Sequence, residues 1–201
     1  MTDQPISVAI PDGYTAVPLG DIAAHTDLIH AIGGDARPGN ASFVSAIATL
    51  MESLVANGTR YCGVGAHLLP DGDPLYSCLT VTVTDAIGGP RNPRLVLADL
   101  VQSRSADNTL GLSALVETDT HPVLFTEKIG SVIPRQCGES PAVPAVYQLQ
   151  AVVPSDDGNS LVAIEFSTPD ADRGIAGRKM IADMARSVVF RFPAVLNLDL
   201  P

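Results

Sequence analysis

A cysteine, two glycines and a histidine stand close together in "RYCGVGAHLL", residues 60–69. A thiol beside an imidazole is the chemistry of a cysteine nucleophile with its base, or of half a metal site. Both require the two side chains to come within bonding reach, so the local element decides the question. The segment runs through "PDGD" into "PLYSCLTVTVT", which predicts a hairpin with its turn at Pro70–Asp73. Pairing Leu69 with Pro74 sets Leu68 opposite Leu75, Val64 opposite Leu79 and Cys62 opposite Val81. Because side chains alternate along a strand, Cys62, Val64, Ala66, Leu68, Leu75, Ser77, Leu79 and Val81 then share one face. The other face carries Tyr61, Gly63, Gly65, His67, Tyr76, Cys78, Thr80 and Thr82.

This register separates Cys62 from His67, so they do not form a nucleophile–base pair. It also separates Cys62 from Cys78. Cys78 falls opposite Gly65 with His67 two residues along on the same face, so Cys78 and His67 are the candidate reactive-thiol site. Gly63 and Gly65 precede no helix and are no dinucleotide fingerprint. Strand glycines mark a close approach, and a helix or a cross-strand tyrosine is expected over them.

His25 and His30 are five apart and do not stack on a helix as metal ligands would, and His121 sits in "DTHP", a turn. "PDGD", "SDDGNS" and "PDADR" lack calcium-loop spacing and suit turns and caps. "GIAGRK" at 174–179 lacks the spacing of a phosphate loop. Ser140 and Ser160 each follow a glycine by two residues, but Ala142 and Val162 stand where a nucleophile elbow needs its second glycine. Glu117, Glu127 and Glu165 lie on predicted strands, where spacing alone brings no two carboxylates together. No catalytic residue, metal ion or cofactor is expected.

A polar surface carries a functional expectation. In "AVYQLQAVVP-SDDGNS-LVAIEFST", pairing Pro154 with Leu161 places Tyr147, Leu149, Ala151 and Val153 beside Val162, Ile164, Phe166 and Thr168. Gln148, Gln150, Glu165 and Ser167 then share the opposite face. That face suits the solvated outside of an antiparallel sheet, and equally a binding surface for a peptide or small polar ligand.

The elements that would position these residues follow from turns and periodicity. "ISVAIPDGYTAVPL" predicts a strand, a turn at Pro11–Gly13 and a second extended stretch. Helices are expected over 20–34 and over 40–58, the latter stopping at Gly58. "NPRLVLADLVQSRS" predicts a helix capped by Asn92, with Pro93 first and Leu97, Leu100 and Val101 as its apolar stripe. "SALVETDTHPVLFTEKI" predicts a hairpin turning near 119–122. The last helix uses Ile181, Met184 and Val188. The result is one α+β domain over residues 1–201, with a loose N-terminus and a tail at 193–201. About six mostly antiparallel strands pack with about four helices.

Bulk properties exclude several function classes. The chain has 201 residues, long enough for one sizeable core. Net charge is −10, with ten Arg against two Lys, which disfavours nucleic acid and anionic membrane surfaces. "MTDQPISVAI" has neither the basic start nor the apolar run of a secretory signal, and no stretch approaches the roughly 18 apolar residues of a spanning helix. Cys62, Cys78 and Cys137 are an odd number without C-x-x-C, which suits reduced thiols in a cytoplasmic protein.

The order of elements, with "IPDGYTAVPL" at the start and "EFSTPD" leading into "AGRKMIADMARSVVF" at the end, resembles actinobacterial PsbP-like α/β-sandwich proteins, including the LpqN-like group. The resemblance covers most of the chain. It implies an α/β sandwich and a non-enzymatic binding or accessory role, and offers no catalytic residues to carry over. LpqN-like lipoproteins carry a lipidation cysteine that is not matched here, so membrane anchoring is not implied. The expected partner is another protein, in a secretion-accessory or toxin-neutralising role. The alternatives are a small-molecule carrier with a sheet–helix cavity, and a thiol-dependent enzyme using Cys78.

Overall fold

Turns bearing glycine and aspartate cut the chain into strands that pair largely with their sequence neighbours. The computed structural model describes residues 6–20, 53–69, 72–86, 89–106, 111–130 and 146–191. Its strands are β1 (Ile6–Ser7), β2 (Tyr14–Ala16), β3 (Thr59–Leu68), β4 (Pro74–Asp85), β5 (Leu112–Glu117), β6 (Pro122–Gly130), β7 (Val146–Pro154), β8 (Ser160–Thr168) and β9 (Val189–Phe190). Two complete helices accompany them, α1 (Pro93–Ala106) and α2 (Arg178–Arg186), the second entered through a 3₁₀ turn at Gly174–Gly177. Residues 53–56 are also helical and stop at Gly58, whose φ of 82° is the left-handed conformation expected of a helix stop. The other residues of the helices expected over 20–34 and 40–58, with His25 and His30, lie outside the described residues, as do Cys137, Ser140 and the tail at 193–201.

Seven strands form one sheet in the order β2-β3-β4-β8-β7-β6-β5, antiparallel at every step. The architecture is α+β with an antiparallel sheet, as expected, but the strands outnumber the six anticipated. The extra pairing comes from the N-terminus. β1 does not turn back onto β2 but pairs with β9, setting Ile6 against Phe190, while β2 pairs with β3.

The hairpin of β7 and β8 has the expected register, Pro154 opposite Leu161 and Gln150 opposite Glu165. Its turn explains why. Gly158 takes a φ of 65°, and the Asp157 carboxylate accepts from the Ser155 hydroxyl at 2.6 Å and the Asn159 N–H at 3.0 Å. Those bonds hold the Asp157 carboxyl below its ordinary pKa. The β5–β6 hairpin turns at 118–121, where the Thr118 hydroxyl donates to the His121 carbonyl at 2.7 Å.

The two faces of the sheet are packed differently. On the first, Leu79, Val81, Ile164, Phe166, Leu149 and Ala151 meet Ile181, Met184 and Ala185 of α2 in the main core. The glycines of "GIAGRK" serve this packing. A Cβ at Gly177 would lie 2.8 Å from the Phe166 ring, and one at Gly174 would run into Tyr147. On the second face, Leu97, Leu100 and Val101 of α1 cover Leu124, Val152, Leu161 and Ala163. Asn92 caps this helix as expected, its side-chain oxygen accepting from the Arg94 N–H at 2.9 Å.

Candidate functional site

The register of the β3–β4 hairpin differs from the expectation by one residue. Leu68, not Leu69, pairs with Pro74. Leu69 is drawn into the turn, where its N–H donates to the Asp73 carbonyl at 3.0 Å and its carbonyl accepts from Gly72 at 2.9 Å. A slip of one residue moves every β3 side chain to the other face relative to β4. Cys62 therefore lies opposite Thr80, and Val64 opposite Cys78, on the second face. Tyr61, Gly63, Gly65 and His67 join Leu75, Ser77 and Leu79 on the first face.

The candidate pair of Cys78 and His67 is thereby undone, because the two point to opposite sides of the sheet. His67 lies 4.7 Å from the ring of Tyr14, centroid to centroid, and burial lowers its pKa. The Cys78 thiol pKa is raised by the neighbouring Cys62 thiol and by burial. The strand glycines do make room for tyrosines, as expected. A Cβ at Gly65 would sit 2.9 Å from the ring of Tyr14, which crosses from β2. The Tyr14 hydroxyl reaches Ser77 at 2.8 Å, and burial pushes its pKa up to about 12.

The polar residues of β7 and β8 do come together. Strand pairing lays the second face out in rows across the sheet. One row reads Cys62, Thr80, Glu165, Gln150, Thr126 and Ser113. The next reads Val64, Cys78, Ser167, Gln148 and Lys128. On the other side of the Glu165 row, Ala163, Val152 and Leu124 pass beneath α1. The second face is thus apolar under the helix and polar beyond it along β8, β7 and β6, with Cys62 and Val64 on β3 at the far end of those rows.

Arg104, near the C-terminus of α1, reaches across that boundary. Its guanidinium donates to Gln150 Oε1 at 2.7 Å. This turns the Gln150 amide nitrogen toward Glu165, to which it donates at 3.3 Å. Gln148 donates to the other Glu165 oxygen, also at 3.3 Å. Burial lowers the Arg104 pKa, while the Glu165 charge acts to raise it. Arg104, Gly111, Thr126, Lys128, Gln148, Gln150 and Glu165 line a cavity of about 220 Å³. A second, larger open cavity of about 830 Å³ is bordered by Ser167, Cys78, Val64 and Tyr76.

Sequence reasoning missed Arg104 and Lys128. The signal for Arg104 was present, since Leu97, Leu100, Val101 and Arg104 follow helical spacing and Arg104 extends the stripe that faces the sheet. Lys128 follows Thr126 by two residues on β6 and so points to the same face. The remaining carboxylates do not converge on Glu165. Glu117 is held in a two-pronged ion pair by Arg94 at 2.8 Å, and Glu127, on the first face, is paired with Arg178. Among the described residues no three His, Cys, Asp or Glu side chains gather as a metal would require. No helix among them is long and apolar enough to cross a membrane.

The site offers one carboxylate, two cations and two amides within a small volume. That is a set of groups for orienting a polar partner by hydrogen bonds and charge. No family model matches the chain, and no curated protein matches it.

Proposed function

We propose that this is a non-catalytic binding protein that holds a partner protein against the polar half of its second sheet face, around Gln148, Gln150, Glu165 and Ser167. The observation that carries this reading is the hydrogen-bonded chain Arg104–Gln150–Glu165–Gln148, which frames the 220 Å³ cavity with Lys128 at its rim. Its groups are already ordered by one another, so a partner meets them without the full cost of fixing long side chains. The net charge of −10 favours a basic partner through long-range attraction. A secretion-accessory or toxin-neutralising role in the cytoplasm fits such a partner. The layering of α1, sheet and α2 supports a PsbP-like sandwich.

The test reverses the charge at Glu165 (Glu165→Lys) together with Gln150→Ala. Partner binding falls at least tenfold while the circular dichroism spectrum is unchanged. Undiminished binding by a folded double variant overturns the reading.

One observation favours a second reading, a small-molecule carrier. The cavity of about 830 Å³ has the size of a small-ligand site. Native mass spectrometry of the purified protein checks it, since a carrier retains a ligand that unfolding releases.

A further inference from the structure

The one-residue slip in the β3–β4 hairpin has a second consequence. It brings Cys62 and Cys78 to the same face of adjacent antiparallel strands, where Cys62 faces Thr80 and Cys78 faces Val64. The two cysteines are therefore diagonal neighbours on adjacent strands. Each thiol perturbs the other's ionisation, which places the two side chains in one local cluster on this face. Cys62 is buried beneath its neighbours, whereas Cys78 is half-buried and lines the 830 Å³ cavity. A reagent in that cavity thus meets Cys78, with Cys62 diagonally across on the neighbouring strand.

We propose that Cys62 and Cys78 form an oxidisable dithiol, closed into a cross-strand disulfide by exchange with a low-molecular-weight disulfide that enters the cavity. In the first step a protein thiolate attacks the small disulfide, forming a mixed disulfide and releasing one small thiolate. In the second, the neighbouring protein sulfur displaces the remaining small thiol and the Cys62–Cys78 bond forms. The protein loses two protons and two electrons, and the small disulfide takes them up as two thiols. The bond would tie β3 to β4 along the wall of the cavity and make that wall sensitive to the thiol–disulfide balance around the protein. Nothing in this step depends on the polar site beside Glu165.

The test incubates the full chain with oxidised glutathione at pH 8, quenches with an alkylating reagent, and maps the peptides by mass spectrometry. The wild type loses the mass of two hydrogens, and the linked peptides contain Cys62 and Cys78. Dithiothreitol restores both thiols. Neither Cys62→Ser nor Cys78→Ser shows the two-hydrogen loss, and each stops at a free thiol or a glutathione adduct. A wild type that keeps two alkylatable thiols at Cys62 and Cys78, that stops at a stable adduct, or whose linked peptides contain Cys137 overturns the proposal.

Discussion

The two faces of the sheet solve different problems with the same seven strands. The first face is apolar along β4, β8 and β7, and α2 seals it with Ile181, Met184 and Ala185. The second is covered by Leu97, Leu100 and Val101 of α1 over only part of its extent. Beyond that part it changes to Glu165, Gln150, Gln148, Lys128 and Ser167. A sheet held on one side by a full core has no structural need for a half-buried carboxylate with two amides aimed at it. Polar groups in such a position require ordered partners and contribute little net stability. The first face accounts for the fold, and the second face is where a binding role fits.

If that division holds, substitutions on the two faces separate stability from binding. Phe166 is fully buried beneath α2, and Phe166→Ala costs about 3–5 kcal/mol of stability, read as a lower urea midpoint. Leu97 of α1, fully buried against Leu124 and Val152, anchors the apolar half of the second face, and Leu97→Ala costs about 2–5 kcal/mol. Removing the Asn92 cap of the same helix (Asn92→Ala) costs about 1 kcal/mol. Glu165→Gln, in the polar half, changes stability by about 1 kcal/mol or less, yet it weakens partner binding by about tenfold, since a hydrogen bond to a charged group is worth up to about 3 kcal/mol. A Glu165→Gln variant that lost stability on the scale of Phe166→Ala would erase the distinction between the faces.

The smallest effect is at the β7–β8 turn. The Asp157 pKa is lowered in the folded chain by the Ser155 hydroxyl and the Asn159 N–H. Its contribution to stability is therefore present above the ordinary carboxylate pKa and is lost as pH falls through the lowered folded value. Asp157→Asn is then less stable than the wild type at neutral pH, and the difference narrows on acidification. Urea midpoints measured for both proteins between pH 7 and pH 3 check the sign.

Much of this was readable from the residues. The β7–β8 register followed from a turn whose Asp157 and Gly158 leave one way to close, and with it came the grouping of Gln148, Gln150, Glu165 and Ser167. The Asn92 cap and the stripe of α1 followed from helix periodicity. The β3–β4 register did not, because Leu69 is apolar and continues the strand pattern while its backbone closes the turn. That single residue decided which face Cys62 and His67 occupy, so the candidate thiol–imidazole site dissolved and Cys62 came to share a face with Cys78. The pairing of β1 with β9 was invisible for another reason. It joins two very short strands from opposite ends of the described chain, and neither carries a local signal for the other.

The most direct measurement compares three tagged baits in pull-downs from the native organism, with recovered proteins identified and quantified by mass spectrometry. The baits are the wild type, the Gln150→Ala/Glu165→Lys double variant, and Lys179→Ala, which alters an exposed position of α2 outside the first-face core. The account predicts one protein recovered in stoichiometric amount by the wild type and by Lys179→Ala, and lost with the double variant. Equal recovery by all three baits, or no partner with any of them, contradicts a protein-binding role for the polar half of the second face.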